Sequence, residues 1–385
     1  MFSVELLDIK EETVCFKPIW NLYRSLRRMG RLERGFCQNI PIFIPMNADR
    51  HWNTFLALLR AGLWERDLRL ETAPEPTLWE PLRRMALDQA VMGLFLQGVA
   101  QLPEDQLPPP DERALMQQWE RAVTGVSARI ACVEAELLPQ LRQAGVHPVI
   151  QKGSTAARFY PRPELRQGGD IDIFCPEFDR ARTLFPDART ASDGAAVFVR
   201  ESVPVELHPR YYDLHLDPAL LPEPGTPCGE LLLLSAHIFK HAIGAGVGCK
   251  QLCDMARALD ALNGKYDKSE LAACLRRSGL LRWHRLLCSL LTEDLGLDPA
   301  CCLEDFRPCN AERLRRIVRA GGHFGKAAPG RRRALRLRAP ARKIATAWTF
   351  LRRLPFSLRC APRETLATLR ELAGGNLGAA QVKNR

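Results

Sequence analysis

The sequence predicts an α+β protein: a small sheet flanked by helical units on its N- and C-terminal sides. Three observations predict it. Apolar residues recur at spacings of three and four over 46–145 and again after 226. Between these stretches lie short apolar runs, at 147–151, 170–173, 195–200 and 203–208, too brief for helices. A proline-rich connector over 218–227 then closes the strand region.

Residues 1–45 mix aromatic, basic and proline residues with no clear period and are expected to form a poorly ordered extension. Met46 begins a cleaner helical pattern through Trp52, Phe55, Leu56, Leu59 and Leu63. Residues 46–145 form the first helical unit, read as a scaffold. Its helical stretches are Leu78–Val99 and Asp111–Ala144, separated by the proline-rich break from Leu102 to Asp111. Asp111 is the expected N-cap of the longer helix.

The sheet region is expected over 146–225. His147-Pro-Val-Ile-Gln151 reads as a short buried strand, Lys152-Gly153-Ser154 as a turn, and Thr155–Tyr160 as a helical stretch ended by Pro161. A polar loop leads to Asp170-Ile-Asp172-Ile-Phe174, read as the next strand. Ala195–Arg200 and Val203–His208 read as a hairpin turning at Glu201-Ser202, and Pro204 marks the second arm as an edge strand.

Residues 226–310 form the second helical unit. Glu230–Ala242 is apolar nearly all round, so it should be buried. Its polar stripe is His237, Lys240 and His241, which either serves structure, lines a pocket or offers two histidines to zinc. The glycine loop over 243–248 follows a helix, so it is not a dinucleotide fingerprint. The next helix places Lys250, Asp254 and Arg257 on one face.

Residues 311–385 are expected to be a basic helical tail. From Arg313 to Arg363 there are sixteen Lys or Arg and no Asp or Glu, against a net charge of +11 for all 385 residues. Trp348, Phe350, Leu351, Leu354 and Phe356 interleave with the arginines. Such an element binds nucleic-acid phosphates, lies on an anionic membrane surface, or is a solvated or acid-docked helix.

Asp170 and Asp172 carry the chemistry. Strand side chains alternate faces, so these carboxylates project together while Ile171 and Ile173 face the core. Adjacent like charges repel unless a cation lies between them, and a hard divalent ion such as Mg²⁺ is the natural resident. Upstream, strand, Gly-Ser turn and helix start together offer backbone N–H groups to an anion.

The wording Val149-Ile-Gln-Lys-Gly153, Tyr160-Pro-Arg-Pro-Glu-Leu-Arg166 and Gly169-Asp-Ile-Asp172 resembles the uncharacterised nucleotidyltransferase family of the DNA polymerase β-like superfamily. That resemblance runs from about residue 50 to about residue 330. It implies a small mixed-sheet nucleotidyltransferase core, and a third carboxylate on a later strand. Glu206, between Val205 and Leu207, matches that position; Glu201 falls in the turn. The implied activity moves a nucleoside monophosphate from a nucleoside triphosphate such as ATP to an acceptor and releases pyrophosphate. The acceptor is a small molecule, a peptide or protein, or an RNA.

By this reading Asp170, Asp172 and Glu206 hold Mg²⁺ or Mn²⁺, and Gly153 and Ser154 cradle phosphates. Lys152 either reaches a phosphate or pairs with a structural carboxylate. Arg166, Arg158, Lys240 and Lys250 are further phosphate candidates, with Asp254 a pocket candidate beside Lys250. Two departures from the family pattern are a slightly long gap and Thr-Ala-Ala after Gly-Ser. The alternative is a catalytically silent nucleotide- or RNA-binding module on the same fold.

Composition fits a multi-part soluble chain, with 46% hydrophobic and 26% charged residues. No apolar run reaches the length of a transmembrane helix, and the N-terminus lacks a signal-peptide pattern. Thirteen cysteines at irregular spacings read as reduced thiols, which places the protein in the cytoplasm.

Overall fold

The alternating run near residue 200 folds as a hairpin. Strands β4 (Ala196–Arg200) and β5 (Val203–His208) pair antiparallel around a two-residue turn. Glu201 and Ser202 in that turn have φ of 47° and 69°, as the primed turns that match strand twist require. The computed structural model that shows this describes residues 46–191, 193–244, 246–323 and 339–370. The expected extension over 1–45 and the arginines of 331–338 lie outside the described residues, as does 371–385.

The sheet is mixed and five-stranded, in the order β1-β2-β5-β4-β3. It is completed by β1 (Val149–Gln151), β2 (Ile171–Phe174) and β3 (Arg189–Thr190). β2 runs parallel to β5 and antiparallel to β1. This corrects the edge-strand expectation, because β5 lies at the centre. Pro204 is tolerated there because β2 begins to pair only at the Ile171–Val205 step, so the missing N–H breaks no bond to it. Ile171, Ile173, Val205 and Leu207 are fully buried on one face of the sheet.

The first helical unit comprises α1 (Met46–Trp64), α2 (Trp79–Asp88), α3 (Met92–Ala100) and α4 (Pro110–Gln143). The expected single stretch over 78–99 is thus two helices, broken at 89–91, where Ala90 takes φ of 54°. In α4 the buried residues Met116, Trp119, Val123, Val126, Ile130, Val133, Leu137 and Leu141 form one stripe, as a helical period demands. Asp111 is not its cap: Pro109 holds that position, Pro110 starts the helix, and Asp111 lies in the first turn. Proline at the first helical position is pre-set in φ and loses no bond. α1 and α3 cross at Gly62 and Gly98, where a Cβ would sit 1.9 Å from Leu94 O and 1.8 Å from Leu58 O. Only glycine allows that approach.

Next come α5 (Lys152–Ala157), which starts three residues earlier than the sequence suggests, and α6 (Phe178–Thr183). Beyond the sheet follow α7 (Pro227–Ile243), α8 (Cys249–Leu262), α9 (Lys268–Arg277), α10 (Leu281–Leu295), α11 (Glu312–Gly321) and α12 (Ala339–Cys360). α7 starts at a Thr226 cap and is buried along most of its length. The loop between α5 and β2 is pinned from three sides. Met92 N donates to Gln167 Oε1, Ser127 Oγ to the Arg166 carbonyl, and the Arg257 side chain to the Phe159 carbonyl. Every described cysteine is a free thiol. No described helix is long and apolar enough to cross a membrane.

Candidate active site

Register builds the site. Gln151 on β1 lies opposite Asp172 on β2, and Asp172 lies opposite Glu206 on β5. Residues opposite one another on neighbouring strands share a sheet face, so three polar side chains form one row across three strands. His208, two residues beyond Glu206, joins the same face. All four are buried.

The distances are short. His208 Nε2 lies 2.9 Å from Asp172 Oδ1 and 3.6 Å from Glu206 Oε2. Ligand atoms of Asp172, Glu206 and His208 lie within 4.8 Å of one another, the one such trio among the described residues. Lys152 Nζ donates to Asp172 Oδ1 at 2.9 Å. Lys152 begins α5 with φ of 51°, a left-handed conformation that costs energy in a residue other than glycine.

The residues present fit a divalent cation. Two buried carboxylates in register repel each other without one. The carbonyl oxygen of Gln151, beside Asp172 in the row, is buried with no hydrogen-bond partner, while its amide donates to the Tyr211 carbonyl at 2.6 Å. An orphaned buried acceptor beside carboxylates is a place for a cation or its water.

The other anticipated residues are distributed as follows. Asp170 is half-buried, one residue before β2, and outside the close trio. Gly153 approaches the site: a Cβ there would lie 3.7 Å from the Asp170 carbonyl and 3.6 Å from Arg166 Nη1. Ser154 Oγ donates to Glu134 of α4. Burial pushes that carboxyl's pKa up, against the Ser154 hydrogen bond. Arg158 is exposed. Arg166 is buried in a two-pronged pair with Asp254, at 2.7 Å and 2.8 Å, and Tyr160 Oη donates to the same carboxylate at 2.8 Å.

Lys240 is drawn elsewhere. Its Nζ lies 2.7 Å from the buried Glu364, which also accepts from His215. His237 and His241 meet at 3.1 Å between their Nε2 atoms and belong to no group of three close ligand atoms among the described residues. Lys250 is half-buried in the first turn of α8. Part of the basic segment is engaged internally. Arg315 pairs with Glu293, Asp294 and Glu312, and Arg353 donates to the Ala242 and Gly244 carbonyls at the end of α7. Trp348 and Leu351 of α12 are exposed, with Arg352 over the Trp348 ring.

Sequence reasoning missed His208 and Gln151. Glu206-x-His208 repeats the spacing of Asp170-x-Asp172, a signal that was there to use. Gln151 closes the strand that precedes the glycine turn. It also missed Glu230 on α7, which accepts from Tyr211 Oη at 3.0 Å and leaves its second oxygen buried without a partner. Burial pushes the Glu230 carboxyl up to about 7, opposed by the Tyr211 hydrogen bond and the Arg158 charge.

Neither curated proteins nor solved structures yield a match to this chain. A family model described as "Uncharacterised nucleotidyltransferase" matches residues 75–296, more than half of the chain, from α2 to the end of α10. The matched span contains the whole sheet, the glycine turn and the Asp172–Glu206–His208 cluster. By sequence family, then, the chain belongs to the uncharacterised nucleotidyltransferases.

Proposed function

We propose that the protein transfers a nucleoside monophosphate from a nucleoside triphosphate to an acceptor, with release of pyrophosphate, in a reaction dependent on Mg²⁺ or Mn²⁺. The single observation that carries this reading is the buried polar row of Gln151, Asp172 and Glu206 beside the Lys152-Gly153-Ser154 turn. Asp172 and Glu206 would hold the cation. Asp170, half-buried ahead of β2, is the proposed contact toward the triphosphate-bound ion. When bound, such ions neutralise phosphate charge and lower the pKa of an attacking hydroxyl.

The chain's own groups do the rest. Backbone N–H groups at the start of α5 would donate to the phosphates, with Gly153 letting them come close. Lys152, bonded to Asp172 in the free chain, is a proposed phosphate contact once an ion takes its place. Lys250, at the start of α8, is a second proposed phosphate contact. Arg166 shapes the floor under Gly153 through its pair with Asp254. The acceptor class is a small molecule, a peptide or protein, or an RNA. The basic segment over 313–363, with Trp348 and Leu351 exposed beside Arg352, supports contact with a polyanion. The reduced thiols fit a cytoplasmic setting.

The test is incubation of the chain with each labelled nucleoside triphosphate, Mg²⁺ or Mn²⁺, and cell extract, following pyrophosphate and the labelled product. Asp172→Asn should cut turnover by about 10²–10³-fold or more, the scale for loss of a group that stabilises transition-state charge. One observation favours the catalytically silent alternative: Lys152, Ser154 and Arg166 each already bond to a carboxylate within the chain. Nucleotide binding without pyrophosphate release under any of these conditions would decide for that alternative.

A further inference from the structure

The trio at the head of the site contains a nitrogen donor. His208 Nε2 is 2.9 Å from Asp172 Oδ1 and 3.6 Å from Glu206 Oε2, and all three side chains are buried. Ligands bound about 2.0–2.2 Å from one ion lie roughly 3–4 Å from each other, so this spacing is close to a coordination sphere. Three side chains from two adjacent strands supply it. The neighbouring Gln151 oxygen is an orphaned acceptor on the same row.

Donor chemistry then selects the ion. Mg²⁺ is hard and takes oxygen ligands with near-ideal octahedral geometry. Imidazole nitrogen suits first-row transition ions, whose affinities exceed that of Mg²⁺ for mixed sites. A carboxylate pair alone would not discriminate in this way. Lys152 supplies the second element: its ammonium already neutralises Asp172 when no ion is bound.

Resting on the nucleotidyl-transfer reading, we propose that Asp172, Glu206 and His208 form one mixed nitrogen–oxygen site that holds a first-row transition ion in preference to Mg²⁺. Lys152 gives way when that ion arrives. His208 is thus a direct ligand, and the choice of ion is set by β5 and not by the Asp-x-Asp strand alone.

The experiment is pulsed electron paramagnetic resonance on the full chain, stripped of cations and loaded with Mn²⁺ alone. The expected result is a single tightly bound Mn²⁺ with the nitrogen coupling of a directly ligated imidazole, displaced only by at least about a tenfold excess of Mg²⁺. His208→Gln should abolish the nitrogen coupling and bring the two ions to similar affinity, with circular dichroism showing the fold retained. The wild-type spectrum decides the question even if that variant fails to fold. Bound Mn²⁺ that is lost in Asp172→Asn but shows no nitrogen coupling overturns the role of His208 and leaves nucleotidyl transfer standing. No bound Mn²⁺, with or without nucleoside triphosphate, overturns both.

Discussion

Two buried charge clusters lie on either side of the glycine turn, and they are built to opposite rules. Around Asp254, one carboxylate meets one guanidinium through two parallel hydrogen bonds, and Tyr160 supplies a third. Charges cancel and the donors match the acceptors. Burial opposes the charge of Arg166, but the Asp254 carboxylate outweighs it, so the guanidinium is held protonated above its ordinary value. Around Asp172, two carboxylates are set in register, with Lys152 and His208 both on one oxygen and an orphaned amide oxygen alongside. The first cluster is finished by the chain itself. The second sets two carboxylates in register beside an orphaned amide oxygen, an arrangement that suits an external cation.

That difference predicts a double dissociation between activity and stability. Asp172→Asn should remove nearly all turnover while changing the unfolding midpoint little, because it relieves repulsion with Glu206 as it loses the contact to Lys152. Asp254→Ala should do the reverse first, costing about 3–5 kcal/mol of stability by stranding a buried arginine. Urea unfolding of both variants, beside pyrophosphate release, checks this. If Asp172→Asn proves the more destabilising of the two, the division between a structural and a functional cluster is wrong.

The parts legible in the sequence were those set by near neighbours. The hairpin over 196–208 follows from alternation and a two-residue gap, and the stripe along α4 from its repeating spacing of three and four. The Asp-x-Asp strand and the glycine turn before it announced the site. What stayed hidden depends on pairings between distant residues. His208 matters because β2 and β5 run parallel with Asp172 opposite Glu206, a register no local pattern fixes. The bonds of Ser154 to Glu134 and of Arg166 to Asp254 were equally invisible, because these partners lie 20 and 88 residues away in the chain. Pro204 misled because a proline disrupts a central strand only where its missing N–H would have bonded a neighbouring strand, and β2 begins to pair one residue later, at Val205.

Glu230 extends the comparison to a fourth buried carboxyl, which is half-satisfied. With Tyr211 on one oxygen and nothing on the other, it is neutral in the folded chain until pH approaches about 7. The unfolded chain releases that proton near 4.5. Between these values the folded state therefore holds a proton that the unfolded state does not, and stability falls as pH rises through the window. A rise from 4.5 to about 7 corresponds to about 3 kcal/mol. Glu230→Gln should flatten the stability profile between pH 5 and pH 8 by about 2–3 kcal/mol. An unchanged slope in chemical unfolding at a series of pH values would show that this carboxyl is solvated or paired in solution.

The smallest expected effect is at Lys152, and it separates the two clusters most finely. Lys152→Met keeps the length of the side chain and the left-handed backbone, but leaves Asp172 with one cationic partner fewer. In the cation-free chain this should cost only about 1–2 kcal/mol, since His208 still reaches Asp172 and Lys152 is not fully buried. A divalent ion no longer has to displace the ammonium, so ion affinity should rise and the lost stability should return on adding Mn²⁺. Arg166→Met, tested in parallel, should cost more and gain nothing from any ion, because the Asp254 cluster offers a cation no further acceptors. Thermal unfolding of both variants with and without Mn²⁺ therefore reads directly whether Lys152 is a stand-in for the ion or a fixed part of the fold.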